Sequence, residues 1–213
     1  DLFDLPADRR HPHKRMRALA SGRFPITEAM PLVGLLWVAA LGCAAALPGR
    51  FAAALAVYAA LMLAYNLRLK DLALVDASVL ALGYLLRLTA GGLALDQAVS
   101  PWLIVCSGFL FFGLALLKRY AELVVLHPGR PDPDARVRGY RVGDARLIAG
   151  LGVASGCIAL AVLAVYPIAE PADGATPVGV WPLCALLLGW TARMWLMAHR
   201  GLIHDDPVAF AVK

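Results

Sequence analysis

Charge is scarce in this sequence. Asp, Glu, Lys and Arg make up 16% of its 213 residues, where a soluble domain carries about 25%. With an apolar share of 61% in place of the usual roughly 45–50%, that shortage argues against one or two ordinary soluble domains. Cysteine is scarce too. Cys43, Cys106, Cys157 and Cys184 each stand alone in an apolar block, with no CxxC pair and no histidine nearby. Disulfide frameworks and zinc centres are thereby excluded, and the four are read as small apolar residues. There is no glycine-rich phosphate loop, no dinucleotide-binding glycine pattern and no clear internal repeat.

What the sequence has in quantity is unbroken apolar chain. The blocks are Ala29–Leu47, Phe51–Leu67, Leu72–Leu95, Trp102–Leu117, Leu147–Ala169 and Val178–Ala198. Each is near the ~20 residues a helix needs to cross a ~30 Å hydrocarbon layer. Six in succession predict an all-α, multi-pass bundle in the lipid bilayer of a plasma or inner membrane. The basic residues bear independently on this. Seventeen Lys and Arg lie in the opening segment and after the second, fourth and sixth blocks, while the intervening loops hold only Arg50. Positive charge marks cytoplasmic loops, so the segments 1–28 and 118–146 are expected on the cytoplasmic side. The net charge of +5 is then a topology signal, and no nucleic-acid partner is needed to explain it.

The polar residues at that face are the candidates for chemistry. Asp1, Asp4 and Asp8 are spaced i, i+3, i+7, which puts three carboxylates on one helix face. Their mutual repulsion is offset by a divalent cation, and Mg²⁺ takes oxygen ligands of this kind, completing its shell with water and substrate phosphates. A solvated acidic helix end paired with the arginines that follow is the alternative. Pro6 kinks any helix through the cluster. Lys14, Arg15 and Arg17 come next, at a density that suits a phosphate or diphosphate; Arg9, Arg10 and Arg23 read as membrane anchoring. His11 and His13 have no ligand spacing.

Tyr65 and Lys70 stand at the end of the second block, where snorkelling is the plain reading of Lys70. Asp76 and Arg87 are eleven residues apart in the third block, so they share a helix face ~16 Å apart along the axis. Arg87 is deep in an apolar run, and ionisable groups at such depth are functional candidates; an interhelix hydrogen bond is the structural alternative. "LLKRYAEL" closes the fourth block. Lys118, Arg119 and Glu122 there stand at i, i+3 and i, i+4, as a surface ion-pair cluster or as a second lip of a site. Tyr140 and Asp144 are the polar contributors expected from the following loop. Gly152 and Gly156 have the spacing that lets helices approach closely.

"DLFDLPADRRHPHKR" resembles the first aspartate-rich motif, NDxxDxxxD, of the UbiA superfamily of intramembrane prenyltransferases. "YNLRLK" resembles its Tyr–Lys element, and "KRYAEL" falls where its second motif stands. The resemblance implies a nine-helix bundle with a central polar cavity open to the cytoplasm. The six blocks here would be its third to eighth helices, so residues 1–213 are expected to be a single domain shortened at both ends. It further implies Mg²⁺ on Asp1, Asp4 and Asp8, and a polyprenyl (di)phosphate held by Lys14, Arg15, Tyr65, Lys70 and Arg119; Arg17, Arg87, Lys118 and Tyr140 are further phosphate-binding candidates. Lys70, Arg119 and Glu122 are the catalytic candidates.

The expected activity is Mg-dependent transfer of a polyprenyl group from its diphosphate to an acceptor. The second motif departs from the family pattern, with Glu122 as its one acid. "KRYAEL" also resembles the branch that transfers phosphoribose from phosphoribosyl diphosphate to a polyprenyl phosphate, which is the alternative. A CDP-alcohol phosphotransferase would show DGxxAR, which is absent. A transporter using Asp76 and Arg87 as a relay is more distant, since it has no need of a carboxylate cluster at a loop mouth.

Overall fold

The computed structural model describes residues 14–125, 136–137, 139–169 and 179–203, together with Leu5 and Arg9. Six long helices carry most of them: α1 (Ile26–Ala45), α2 (Gly49–Leu67), α3 (Val75–Ala94), α4 (Pro101–Val125), α5 (Ala145–Ala169) and α6 (Val180–His199). All six are long and apolar enough to cross a membrane, as their blocks predict, and the protein is an integral membrane protein. A two-stranded antiparallel hairpin, β1 (Arg136–Val137) and β2 (Tyr140–Arg141), stands between α4 and α5.

The chain divides into two compact units, Asp1–Ala56 and Val57–Lys213. The first holds α1 and the start of α2. Pro25 sets the entry to α1, with φ −70° and ψ 146° at the N-cap, a conformation that its ring fixes and that stops the helix from extending backward. The outward residues of α1 are large and apolar, Leu35, Leu36, Val38 and Leu41 among them, as a lipid-facing surface requires.

In the second unit α4 is the central element, packed most extensively on α5 and next on α3. Small residues permit the close approach. A Cβ on Gly113 would lie 3.0 Å from the Gly152 carbonyl oxygen, and one on Gly152 would lie 2.4 Å from the Trp195 ring. The Ser155 hydroxyl donates to the Phe109 carbonyl at 2.7 Å across the same seam. Of the two glycines singled out by spacing, Gly152 is therefore the packing position. A Cβ on Gly156 would meet nothing within 4 Å.

One boundary departs from the sequence pattern. The fourth apolar block stops at Leu117, and a loop was expected from 118, yet α4 runs on through Val125. Lys118, Arg119 and Glu122 are helical residues as a result. The reason is tertiary: Leu116, Leu117, Ala121 and Leu123 pack with Ile148, Met194, Ala198 and Tyr140 into the best-buried cluster of the unit. The core thus sits around the charged end of α4. The four cysteines are all free, as their isolation predicts.

Candidate functional site

The site is built where α2, α3 and α4 bring their polar ends together within the second unit. Arg119 is at its centre, with its side chain 2% exposed. Its Nε donates to Asp76 Oδ2, its Nη1 to Glu122 Oε2 at 2.6 Å and its Nη2 to the Tyr65 hydroxyl at 3.2 Å. Asp76 is fully buried, and Glu122 is the rim member with 20% of its side chain exposed. A buried charge survives only when paired and hydrogen-bonded, and the guanidinium meets a separate partner at each of its three nitrogens, a reach that the compact ammonium of a lysine lacks.

Asp76 has a second partner. The Tyr140 hydroxyl donates to Asp76 Oδ1 and accepts from the Leu74 backbone N–H at 2.8 Å. Tyr140 is 2% exposed, and burial, followed by the hydrogen bond to Asp76, pushes its hydroxyl well above the usual tyrosine range. Leu74 has a φ of 63°, in the left-handed region that a leucine rarely occupies. Next to Tyr140, Gly139 lies flat on the same turn. A Cβ there would be 2.4 Å from the Ala73 nitrogen and 2.6 Å from the Asp71 carbonyl oxygen, both backbone atoms that cannot swing aside. The hairpin is thus pinned to the turn between α2 and α3 by one glycine contact and one buried tyrosine. Beyond it, Asp144 accepts from the Arg141 N–H at 2.9 Å and closes the short turn that leads into α5.

The expected site residues fall into three groups. Arg119, Glu122, Tyr65 and Tyr140 come together around Asp76, with Lys118 one residue before Arg119 on α4 and Lys70 in the turn Leu69–Asp71. Arg87 lies elsewhere on α3, exposed, with its guanidinium bonded to the Tyr58 hydroxyl. Lys14, Arg15 and Arg17 belong to the first unit, where Arg15 is exposed within the turn Lys14–Met16 and Arg17 is exposed just after it. Asp1, Asp4 and Asp8 lie outside the described residues.

Two expectations change in character. Arg119 and Tyr140 are expected as direct phosphate contacts; in the structure both are buried, each nitrogen of Arg119 donates to a protein partner, and the Tyr140 hydroxyl is engaged by Asp76 and Leu74. The Asp76–Arg87 relay is likewise not formed, since Asp76 pairs with Arg119 and Tyr140 while Arg87 pairs with Tyr58. Sequence reasoning missed Asp76 as the hub and Tyr58 and Tyr84 as the company of Arg87. The available signals were an acid at the start of an apolar helix and two tyrosines, Tyr58 and Tyr65, seven residues apart on one face of α2.

Among the described residues no group of three His, Cys, Asp or Glu is placed to hold a metal. Asp76 and Glu122 both serve Arg119 instead.

The sequence profile of the UbiA prenyltransferase family matches residues 1–210. An uncharacterized protein, y4nM, of Sinorhizobium fredii is 36% identical over 217 residues, covering 100% of this chain and 42% of that protein. The nodulation protein NoeC of Azorhizobium caulinodans is 32% identical over 218 residues, 100% of the chain and 69% of that protein. A decaprenyl-phosphate phosphoribosyltransferase of Mycolicibacterium smegmatis is 42% identical over 123 residues, 58% of the chain and 39% of that protein.

Proposed function

On the premise that the chain belongs to the UbiA prenyltransferase family, we propose that it is the membrane-embedded part of a transferase that moves phosphoribose from phosphoribosyl diphosphate to a polyprenyl phosphate. The observation that carries this choice within the family is the 42% identity over 123 residues to a protein named for that reaction. The reaction forms a bond from an acceptor phosphate oxygen to the anomeric carbon of the ribose. The bond from that carbon to the diphosphate breaks, and the diphosphate leaves with the electron pair. Positive charge develops on the sugar and negative charge on the leaving group, so fixed cations in a water-poor site lower the barrier.

Lys14, Arg15, Arg17, Lys70 and Lys118 are the proposed phosphate contacts. Asp1, Asp4 and Asp8 are the proposed ligands of Mg²⁺, which when bound would neutralise the leaving diphosphate. Arg119 works through its neighbours: it fixes the Tyr65 hydroxyl and the Glu122 carboxylate at the rim while Asp76 holds its other edge. The substrate-facing loops are proposed to be cytoplasmic, from the one-sided distribution of positive charge.

Transfer of a polyprenyl group from a polyprenyl diphosphate to another acceptor is the second reading. It is supported by the family match and by the first aspartate motif, which also suits that chemistry. Full-length protein in nanodiscs separates the two. Diphosphate release that requires both phosphoribosyl diphosphate and a polyprenyl phosphate, with a lipid-linked phosphoribose seen by mass spectrometry, is the expected result. A prenylated acceptor formed from polyprenyl diphosphate, with diphosphate released and no phosphoribosyl diphosphate present, would reverse the order. Flux across the membrane without any product would return the transporter.

A further inference from the structure

Arg87 is in the interior of α3. At ~1.5 Å per residue it lies ~18 Å from Val75 and ~10 Å from Ala94, the two ends of that helix. A cation at such depth is costly unless something polar meets it. Long basic side chains near a membrane surface usually extend to the closer interface. Arg87 does not. Its guanidinium lies over the rings of Tyr58 and Tyr84, 4.9 and 5.1 Å from their centroids, and donates to the Tyr58 hydroxyl. Tyr84 is one turn back towards the Asp76 end and is itself held by stacking on Phe111 of α4, with centroids 4.7 Å apart. Together with Met62, Leu80 and Gly83, Tyr84 and Arg87 line a small cavity between α2 and α3. Gly83 keeps that space narrow, since a Cβ there would be 3.0 Å from the Met62 methyl.

The aromatic arrangement orients the cation without neutralising it. Among the described residues no carboxylate pairs with Arg87, while Asp76 and Glu122 are both engaged by Arg119. A guanidinium has five N–H donors, and the hydrogen bond to Tyr58 uses one. Because the Tyr58 oxygen accepts in that bond, its own proton is left to donate. The pair therefore presents a planar fork and a hydroxyl, a set that suits a phosphate oxyanion.

We propose that Arg87 and the Tyr58 hydroxyl bind a phosphate group of a substrate within the membrane, at a station separate from the Arg119 cluster. This rests on the phosphoribosyl reading, in which two phosphates besides the leaving diphosphate must be held: the 5-phosphate of the sugar donor and the phosphate of the lipid acceptor. Both present the same chemistry to Arg87.

The test uses full-length protein in nanodiscs, with Arg87→Gln, Arg87→Lys and Tyr58→Phe. Each substrate is titrated with the other saturating, and ribosyl diphosphate lacking the 5-phosphate serves as a second donor. Arg87→Gln is expected to raise KM for one substrate roughly ten- to a hundredfold, with Arg87→Lys recovering part. If the lipid phosphate is the ligand, KM for polyprenyl phosphate moves. If the 5-phosphate is, KM for phosphoribosyl diphosphate moves, and wild type and Arg87→Gln use the dephosphorylated donor equally. Binding is read separately from turnover, as the shift in melting temperature on adding phosphoribosyl diphosphate or on doping the nanodiscs with polyprenyl phosphate. A protein that makes no lipid-linked phosphoribose would sink the transfer reaction, yet loss of one ligand shift in Arg87→Gln would still uphold the anion site. Two unchanged KM values and two unchanged shifts would overturn it. So would a lowered melting temperature with both substrates affected alike, which would mark Arg87 as the partner of a carboxylate of its own protein.

Discussion

Two arginines in membrane-spanning helices live in opposite circumstances. Arg119 is enclosed, with two carboxylates and a tyrosine hydroxyl on its three nitrogens. Arg87 is exposed and rests on two tyrosine rings with no carboxylate beside it among the described residues. The same side chain is an internal brace in one place and an unneutralised donor set in the other. What distinguishes them is the number of donors already spent. A phosphate-bearing substrate would have to displace the partners of Arg119 to reach it, whereas it needs only to approach Arg87.

That contrast can be broken at several points. The largest effect is expected from Asp76→Ala, which leaves a buried guanidinium with half of its counter-charge. Breaking a buried pair in this way costs about 3–5 kcal/mol, read as a fall in the melting temperature of the purified protein; a loss under about 1 kcal/mol would show that Asp76 is not the hub. Arg119→Lys should cost less, about 1.5–3 kcal/mol, because one ammonium cannot span Asp76, Glu122 and Tyr65 together. A silent Arg119→Lys would reduce the cluster to ordinary surface pairing.

Tyr140→Phe keeps the ring in the core and removes the bond to Asp76, for about 1 kcal/mol. Limited proteolysis between α4 and α5 should quicken in that variant, and unchanged cleavage would detach the hairpin from the network. Arg87→Gln is expected to cost about 1 kcal/mol, well short of Asp76→Ala, since it loses the tyrosine contacts but no ion pair among the described residues. A drop as large as that of Asp76→Ala would erase the distinction between the two arginines.

Much of the fold is legible in the sequence. Each of the six helices lies over its apolar block, because block length and composition alone select a membrane-spanning helix. The extension of α4 to Val125 was hidden, since Lys118 and Arg119 look like the end of a span until Asp76, forty-three residues earlier in the chain, is seen to meet Arg119. The spacing of Asp76 and Arg87 puts both on one face of α3; which neighbour each finds depends on how α2 and α4 are set against that face. Tyr140 was noticed as polar and loop-borne, but nothing in "VRGYRVGD" tells that Gly139 would lie against the 71–74 backbone. The "KRYAEL" segment stands out in the sequence, while the direction in which its arginine turns is a tertiary property.

The most direct measurement compares Arg119→Lys with Arg87→Lys in the full-length protein, by melting temperature in nanodiscs with and without phosphoribosyl diphosphate and polyprenyl phosphate. The expected result is a lowered ligand-free midpoint for Arg119→Lys alone, and a diminished shift for one of the two ligands in Arg87→Lys at an unchanged ligand-free midpoint. A destabilised Arg87→Lys beside an Arg119→Lys that folds normally but no longer responds to ligand would contradict it.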